Sequence, residues 1–164
     1  MLQFLNISNI ALIDDMQVEF ESGLNLLTGE TGSGKSIIVD ALGVLIGGRF
    51  SSDLIKSGAE RGSIEGLFSV APNPELELLL ENAGLDSTPE LIIRREISST
   101  GRNKIFINNQ LATQTLLRDL RPYLVDIHGQ GDQQTLFNPE THLEILDAFA
   151  GNRLRVWLVI EDFD

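Results

Sequence analysis

Leu24-Asn25-Leu26-Leu27-Thr28-Gly29-Glu30-Thr31-Gly32-Ser33-Gly34-Lys35-Ser36 is the stretch that decides the fold of this 164-residue chain. Its last eight residues set a Gly, four free positions and then Gly-Lys-Ser, the full spacing of a phosphate-binding P-loop. The flanks match the setting this loop requires, since Leu24 to Leu27 reads as a buried strand and Ser36 through Ile46 as a helix. Ile37, Ile38, Val39, Ala41, Leu42, Val44 and Leu45 leave that helix almost no polar face. A helix apolar all round is expected to be buried, and Gly47-Gly48 to end it.

The chemistry follows from the residue types. Gly29, Gly32 and Gly34 let the backbone come close to an anion in conformations closed to other residues. Successive amide N–H groups then point inward, and the positive end of the helix adds to them. Lys35 supplies a mobile cation for the outer phosphates, and Ser36 the hydroxyl that holds magnesium in such loops. Glu30, Thr31 and Ser33 complete the loop; the two hydroxyls are optional because backbone amides do most of the binding. A glycine-rich turn with a merely solvated lysine would not need these flanks. The reading is a nucleoside triphosphate with Mg2+.

Composition sets the bounds. Hydrophobic residues at 42% and charged residues at 22% are globular values, and 164 residues are enough for one domain with an ordinary core. A net charge of −12 argues against a general nucleic-acid binder, although a local basic patch is compatible with it. There is no cysteine, so disulfides and thiolate metal sites are excluded. No basic leader precedes an apolar run and no stretch approaches a membrane span, so a cytoplasmic protein without membrane contact is expected.

Outward from the loop, Met16 to Phe20 alternates as a half-buried strand and pairs with Leu2 to Ile7 across a turn around Asp14-Asp15. A strand at about 63–70, a helix at 74–83 closed by Gly84, and strands at 91–97 and 104–108 flanking Ser98-Ser99-Thr100-Gly101 follow. Thr113 caps a helix carrying Leu116, Leu117 and Leu120. Tyr123 to Ile127 reads as a further buried strand leading into His128-Gly129-Gln130, and Asn138-Pro139 opens a last helix ending before Gly151.

Five places together resemble the RecN family of bacterial SMC-like DNA-repair ATPases: Ile7-Ser8-Asn9-Ile10-Ala11-Leu12-Ile13-Asp14; the P-loop with Glu30-Thr31; Arg102-Asn103-Lys104-Ile105-Phe106-Ile107-Asn108; Leu124-Val125-Asp126-Ile127-His128-Gly129-Gln130; and Asn138-Pro139-Glu140 with Leu146-Asp147-Ala148-Phe149-Ala150-Gly151. The resemblance implies an α/β P-loop NTPase fold, the N-terminal lobe of an ABC/SMC-type head, with a mixed β-sheet, an antiparallel β-subdomain and flanking helices. It places the N-terminal half of the head in residues 1–151 and an atypical tail in 152–164, where coiled coil is expected. It further implies that Gly29 to Ser36 bind ATP, with Lys35 on the phosphates and Ser36 on Mg2+. Gln130 resembles the Q-loop glutamine that reaches the metal and the attacking water. The implied partners are ATP, the second half of the head, a second head in a homodimer, and DNA through the full-length protein, which is expected in the cytoplasm with the nucleoid.

Departures count as much. RecN sequences continue after His-Gly-Gln with His-Glu-His-Gln, whereas Gly131-Asp132-Gln133-Gln134 stands here. No Ser-Gly-Gly signature occurs, and Trp157-Leu158-Val159-Ile160-Glu161-Asp162 reverses the Asp-Glu order of a Walker B strand. An ATPase is therefore expected of the parent protein and an inactive fragment of this chain. From other classes, a nucleotide-gated dimerisation module without hydrolysis of its own, or another P-loop NTPase or kinase, stand as alternatives; no Asn-Lys-x-Asp guanine motif favours the last. His128 and His142 read as structural or surface residues. Arg94, Arg95, Arg102 and Lys104 read as solvated strand charges with Glu96 as partner, and Asp40, one turn beyond Ser36, is given no role.

Overall fold

β1 (Leu2–Ile10) and β2 (Ile13–Glu19) form a hairpin with Ile10 opposite Ile13, so the turn is Ala11-Leu12. Asp14 and Asp15, expected at the turn, lie inside β2, where Ser8 donates to Asp15 at 2.8 Å. Ala11 sits at φ 51°, in the left-handed region that a two-residue hairpin needs and that a β-branched residue would resist. The computed structural model describes residues 1–28 and 35–125, with Lys35 described by its backbone alone. These residues fall within one compact unit, Met1–Asp126.

β3 (Arg61–Ser69), β4 (Glu90–Ser98), β5 (Asn103–Ile107) and β6 (Gln110–Ala112) extend the hairpin into a six-stranded sheet of order β2-β1-β3-β4-β5-β6. Among the described residues every pairing in it is antiparallel. Period-two alternation decides the buried face: Leu5, Ile7, Ile64, Phe68, Leu91, Ile93 and Ile107 are all fully enclosed. Each such side chain contributes roughly 1.5–3 kcal/mol of hydrophobic stabilisation.

α1 (Lys35–Leu45) packs on β3 and β4 through Ile38, Ala41, Val44 and Leu45. Gly66 of β3 permits the contact, because a Cβ there would stand 2.6 Å from Leu45 Cδ2. The helix is not buried all round as its apolar sequence suggested. Val39 is 50% exposed and Asp40 is exposed, since a single sheet face can cover only one side of a cylinder. α1 ends in a double hydrogen-bonded C-terminal motif in which Gly48 N–H donates to Gly43 O at 2.9 Å and Gly47 N–H to Val44 O at 3.1 Å. Gly47 adopts φ 112°.

α2 (Pro74–Asn82) is capped by Asn73, whose side chain accepts from Glu75 N at 2.8 Å, and it closes at Gly84 (φ 72°). α3 (Gln114–Leu124) is capped by Thr113, as its sequence predicts, and buries Leu117, Leu120 and Leu124. That helical spacing carries Tyr123 and Leu124 into α3, so the expected strand does not begin at Tyr123; Val125 is extended, and 126–127 lie outside the described residues. The short β6 was missed; the Asn108-Asn109 turn that creates it holds both residues at positive φ, 47° and 64°.

Leu24 to Leu27 is the principal correction. No strand forms there, and Leu24, Leu26 and Leu27 are 92%, 79% and 44% exposed. A buried strand needs neighbours on both edges, and among the described residues nothing pairs with it. Asn25 instead folds onto Glu21, accepting from its N–H at 3.0 Å and donating to its carbonyl at 2.8 Å, a local alternative to a ladder. The last helix expected from Asn138 and the tail 152–164 lie outside the described residues.

Candidate nucleotide site

Gly29, Glu30, Thr31, Gly32, Ser33 and Gly34 lie outside the described residues, as do His128, Gln130 and His142. What the structure places is the helix these glycines lead into. Lys35 is the first residue of α1 and Ser36 the second, with Ser36 exposed. The first turn of α1 carries no acidic residue, unlike that of α2, which holds Glu75 and Glu77. The positive end of α1 is therefore not neutralised by its own side chains, and a phosphate group with its Mg2+ suits it. When bound, the metal would neutralise phosphate charge, with Ser36 Oγ as the described oxygen able to hold it. Asp40 is exposed one turn further along.

The opposite end of α1 holds the feature that sequence reasoning missed. Arg95 on β4 is 1% exposed, not a solvated strand charge. Its Nη1 donates to Val44 O at 2.5 Å and to Gly48 O at 2.6 Å, and its Nη2 to Gln114 Oε1 at 3.4 Å. Gln114 Nε2 donates in turn to Gly47 O at 2.7 Å, and the guanidinium carbon lies 5.4 Å from the Phe50 ring centre. A cation at a helix C-terminus meets the negative end of the macrodipole. Burial lowers the Arg95 pKa to about 10, so the group still carries its charge at neutral pH. The missed signal is parity: Arg95 occupies the same strand face as Leu91, Ile93 and Ile97, all buried.

Of the neighbouring cations, Arg94 has the Glu96 partner expected of the group but is half-buried, and Arg102 and Lys104 are solvated without that partner. Arg94 faces the other side, 3.2 Å from Glu96 and 3.6 Å from Glu65, with its guanidinium 4.6 Å from the Phe106 ring centre. Arg102 and Lys104 are exposed and line, with Arg61, Glu60 and Glu96, an open groove of about 430 Å³ at the β4–β5 turn. Among the described residues neither makes an ion pair.

A family model described as an AAA domain matches residues 5–149. The chain belongs to this AAA domain family. The RecN resemblance also stands. The chain is 46% identical to the DNA repair protein RecN of Bacillus subtilis (strain 168) over 153 residues, 92% of this chain and 26% of that protein. It is 38% identical to the RecN of Xylella fastidiosa (strain 9a5c) over 152 residues, 93% of this chain and 27% of that protein. It thus spans about a quarter of the length of the RecN relatives it matches.

Among solved structures, one from work on ATP-driven dimerization and DNA-stimulated activation of SMC ATPases superposes with a TM-score of 0.65 at 22% identity, covering 90% of this chain and 98% of that one. The SMC head domain from Thermotoga maritima superposes with a TM-score of 0.56 at 23% identity, covering 72% of this chain and 41% of that one. The AAA domain of this chain therefore has the fold of an SMC-type head, in the N-terminal lobe that the sequence led one to expect. Among the described residues no helix is long and apolar enough to cross a membrane.

Proposed function

We propose that this chain is the ATP-binding N-terminal segment, residues 1–151, of the head of a RecN-like SMC-family ATPase acting in DNA double-strand-break repair and recombination. The observation that carries the reading is a complete P-loop octet that runs directly into α1 of an SMC-head fold, in a chain 46% identical to a RecN protein. In this reading Gly29 to Ser36 cradle the phosphates, Lys35 takes the outer ones, and Ser36 and Gln130 hold Mg2+. Bound magnesium supplies charge neutralisation for in-line attack of water on the γ-phosphate. The residues of this chain bind and orient; the general-base carboxylate and the signature motif belong to other segments of the parent. ATP hydrolysis by these 164 residues alone is accordingly expected to be negligible, with no membrane partner and a cytoplasmic, nucleoid-associated site of action in the parent.

Titration of a fluorescent ATP analogue with Mg2+ tests the binding step. A Lys35→Ala, Ser36→Ala double variant should bind roughly ten- to a hundredfold more weakly, the equivalent of one or two charge-assisted hydrogen bonds. Equal retention by the double variant and the wild type, both folded, would overturn the assignment. A second reading is a nucleotide-gated contact between two heads, favoured for this chain by the missing signature and Walker B carboxylates. Light scattering with and without ATP, on protein carrying both halves of the head, separates assembly from turnover.

A further inference from the structure

Arg95 makes no ion pair among the described residues, although it is fully enclosed. Burying a guanidinium without a carboxylate is costly, and an apolar residue of similar volume would pack at least as well. Its presence there makes sense as a device for geometry rather than for stability. The acceptors it selects are specific. They are the carbonyls of Val44, in the last turn of α1, and of Gly48, three residues past its end, and the side chain of Gln114, the first residue of α3. Gln114 returns a hydrogen bond to Gly47 O at 2.7 Å, so carbonyls 44, 47 and 48 are all held by one pair of side chains.

Such a set of contacts has a single register. Sliding a helix by one residue moves it by about 1.5 Å and turns it by about 100°, which carries each carbonyl out of hydrogen-bond reach. The backbone leaves no slack either, because a Cβ at Gly48 would stand 2.6 Å from Gly43 O. α1 is a continuous helix of eleven residues from that anchored end to Lys35. Holding one end of a rigid helix sets where the other end is presented.

We propose that Arg95 and Gln114 are positioning residues for the nucleotide site: by clamping the C-terminal end of α1 to β4 and α3, they set the axial position of the Lys35–Ser36 end. This rests on the ATP-binding reading above. Arg95→Met and Gln114→Leu, each made in the full 164-residue chain, provide the test, with two readouts. In conditions where far-UV circular dichroism shows the variants folded, the Kd for a fluorescent ATP analogue with Mg2+ should rise by about tenfold or more, and Arg95→Lys should recover part of the loss. Hydrogen exchange should show amides 46–48 and the first turn of α3 losing protection together, while the β1–β2 hairpin keeps its own.

A wild-type Kd in either folded variant would reduce the pair to a structural role and overturn the proposal. Should Arg95→Met fail to fold, Gln114→Leu carries the same two readouts. Should the wild type itself retain no nucleotide, the ATP-binding reading falls, and exchange alone judges the clamp: unchanged protection at 46–48 in Gln114→Leu sinks it.

Discussion

Two glycines five residues apart at the end of α1 should respond to alanine with opposite signs. At Gly43 an added Cβ meets nothing within 4 Å. It sits in the helix interior, where alanine is favoured over glycine by about 0.8–1.0 kcal/mol. At Gly48 the same methyl would stand 2.6 Å from Gly43 O, 3.0 Å from Gly43 C and 3.4 Å from Val44 Cα, all backbone atoms that no rotamer change can move. Relief requires the last turn to open. That would break the Gly48 N–H to Gly43 O bond (2.9 Å) and displace Gly48 O from Arg95 (2.6 Å). A neutral bond at about 1 kcal/mol and a charge-assisted one at about 1.5–3 kcal/mol give an expected loss of about 2–4 kcal/mol. In a chain of this size each kcal/mol moves Tm by about 2–4 °C. Thermal and urea unfolding followed at 222 nm should therefore show Gly43→Ala a few degrees above wild type and Gly48→Ala well below it. The reasoning fails if Gly48→Ala unfolds within about 0.5 kcal/mol of wild type, below what either bond alone should cost.

Leu26→Ser should change stability by less than about 0.5 kcal/mol, because the side chain is 79% exposed; a urea midpoint lowered by several times that would restore the buried strand to 24–27. Asn109→Gly should stabilise by a few tenths of a kcal/mol, since position two of this turn holds φ 64° and glycine carries no penalty there, whereas Asn73→Ala should cost about 1 kcal/mol through the lost cap of α2. Both are read from urea midpoints at constant m. The stability difference between wild type and Arg95→Met should be flat from pH 5 to about 9, because Arg95 stays protonated in both states until the pH nears its folded value of about 10. Above that the folded state binds fewer protons than the unfolded one, so the wild type gains on the variant as pH rises further; a difference that varies between pH 6 and 8 would refute this account.

Local patterns were legible where one short-range rule governs the outcome. Pro74 in its first turn and Gly84 just after it mark α2 almost to the residue, because helix starts and left-handed stops are decided by neighbours in sequence. Thr113 is found in the same way. Alternation located β3, β4 and β5 to within two residues at each end. Reading failed where a local pattern fits two outcomes. Leu24 to Leu27 is apolar enough for a buried strand, yet burial depends on partners that the segment cannot specify. Tyr123-Leu124 is apolar enough for a strand, yet Leu117 and Leu120 had already set a helical stripe that Leu124 completes.

By itself, the sequence determined the chemistry on offer: an octet whose glycines, lysine and serine suit a phosphate chain, opening a helix at Lys35. Backbone freedom and side-chain type are properties of single residues, so they survive without coordinates. Only the tertiary structure decided what Arg95 does. In sequence it is one of four cations around a hairpin; in the fold, strand parity turns it inward, and pairing across β3 and β4 sets it under the last turn of α1. A long-range contact between residues 44 and 95 is fixed by how sheet and helix pack together, which no window of local sequence contains.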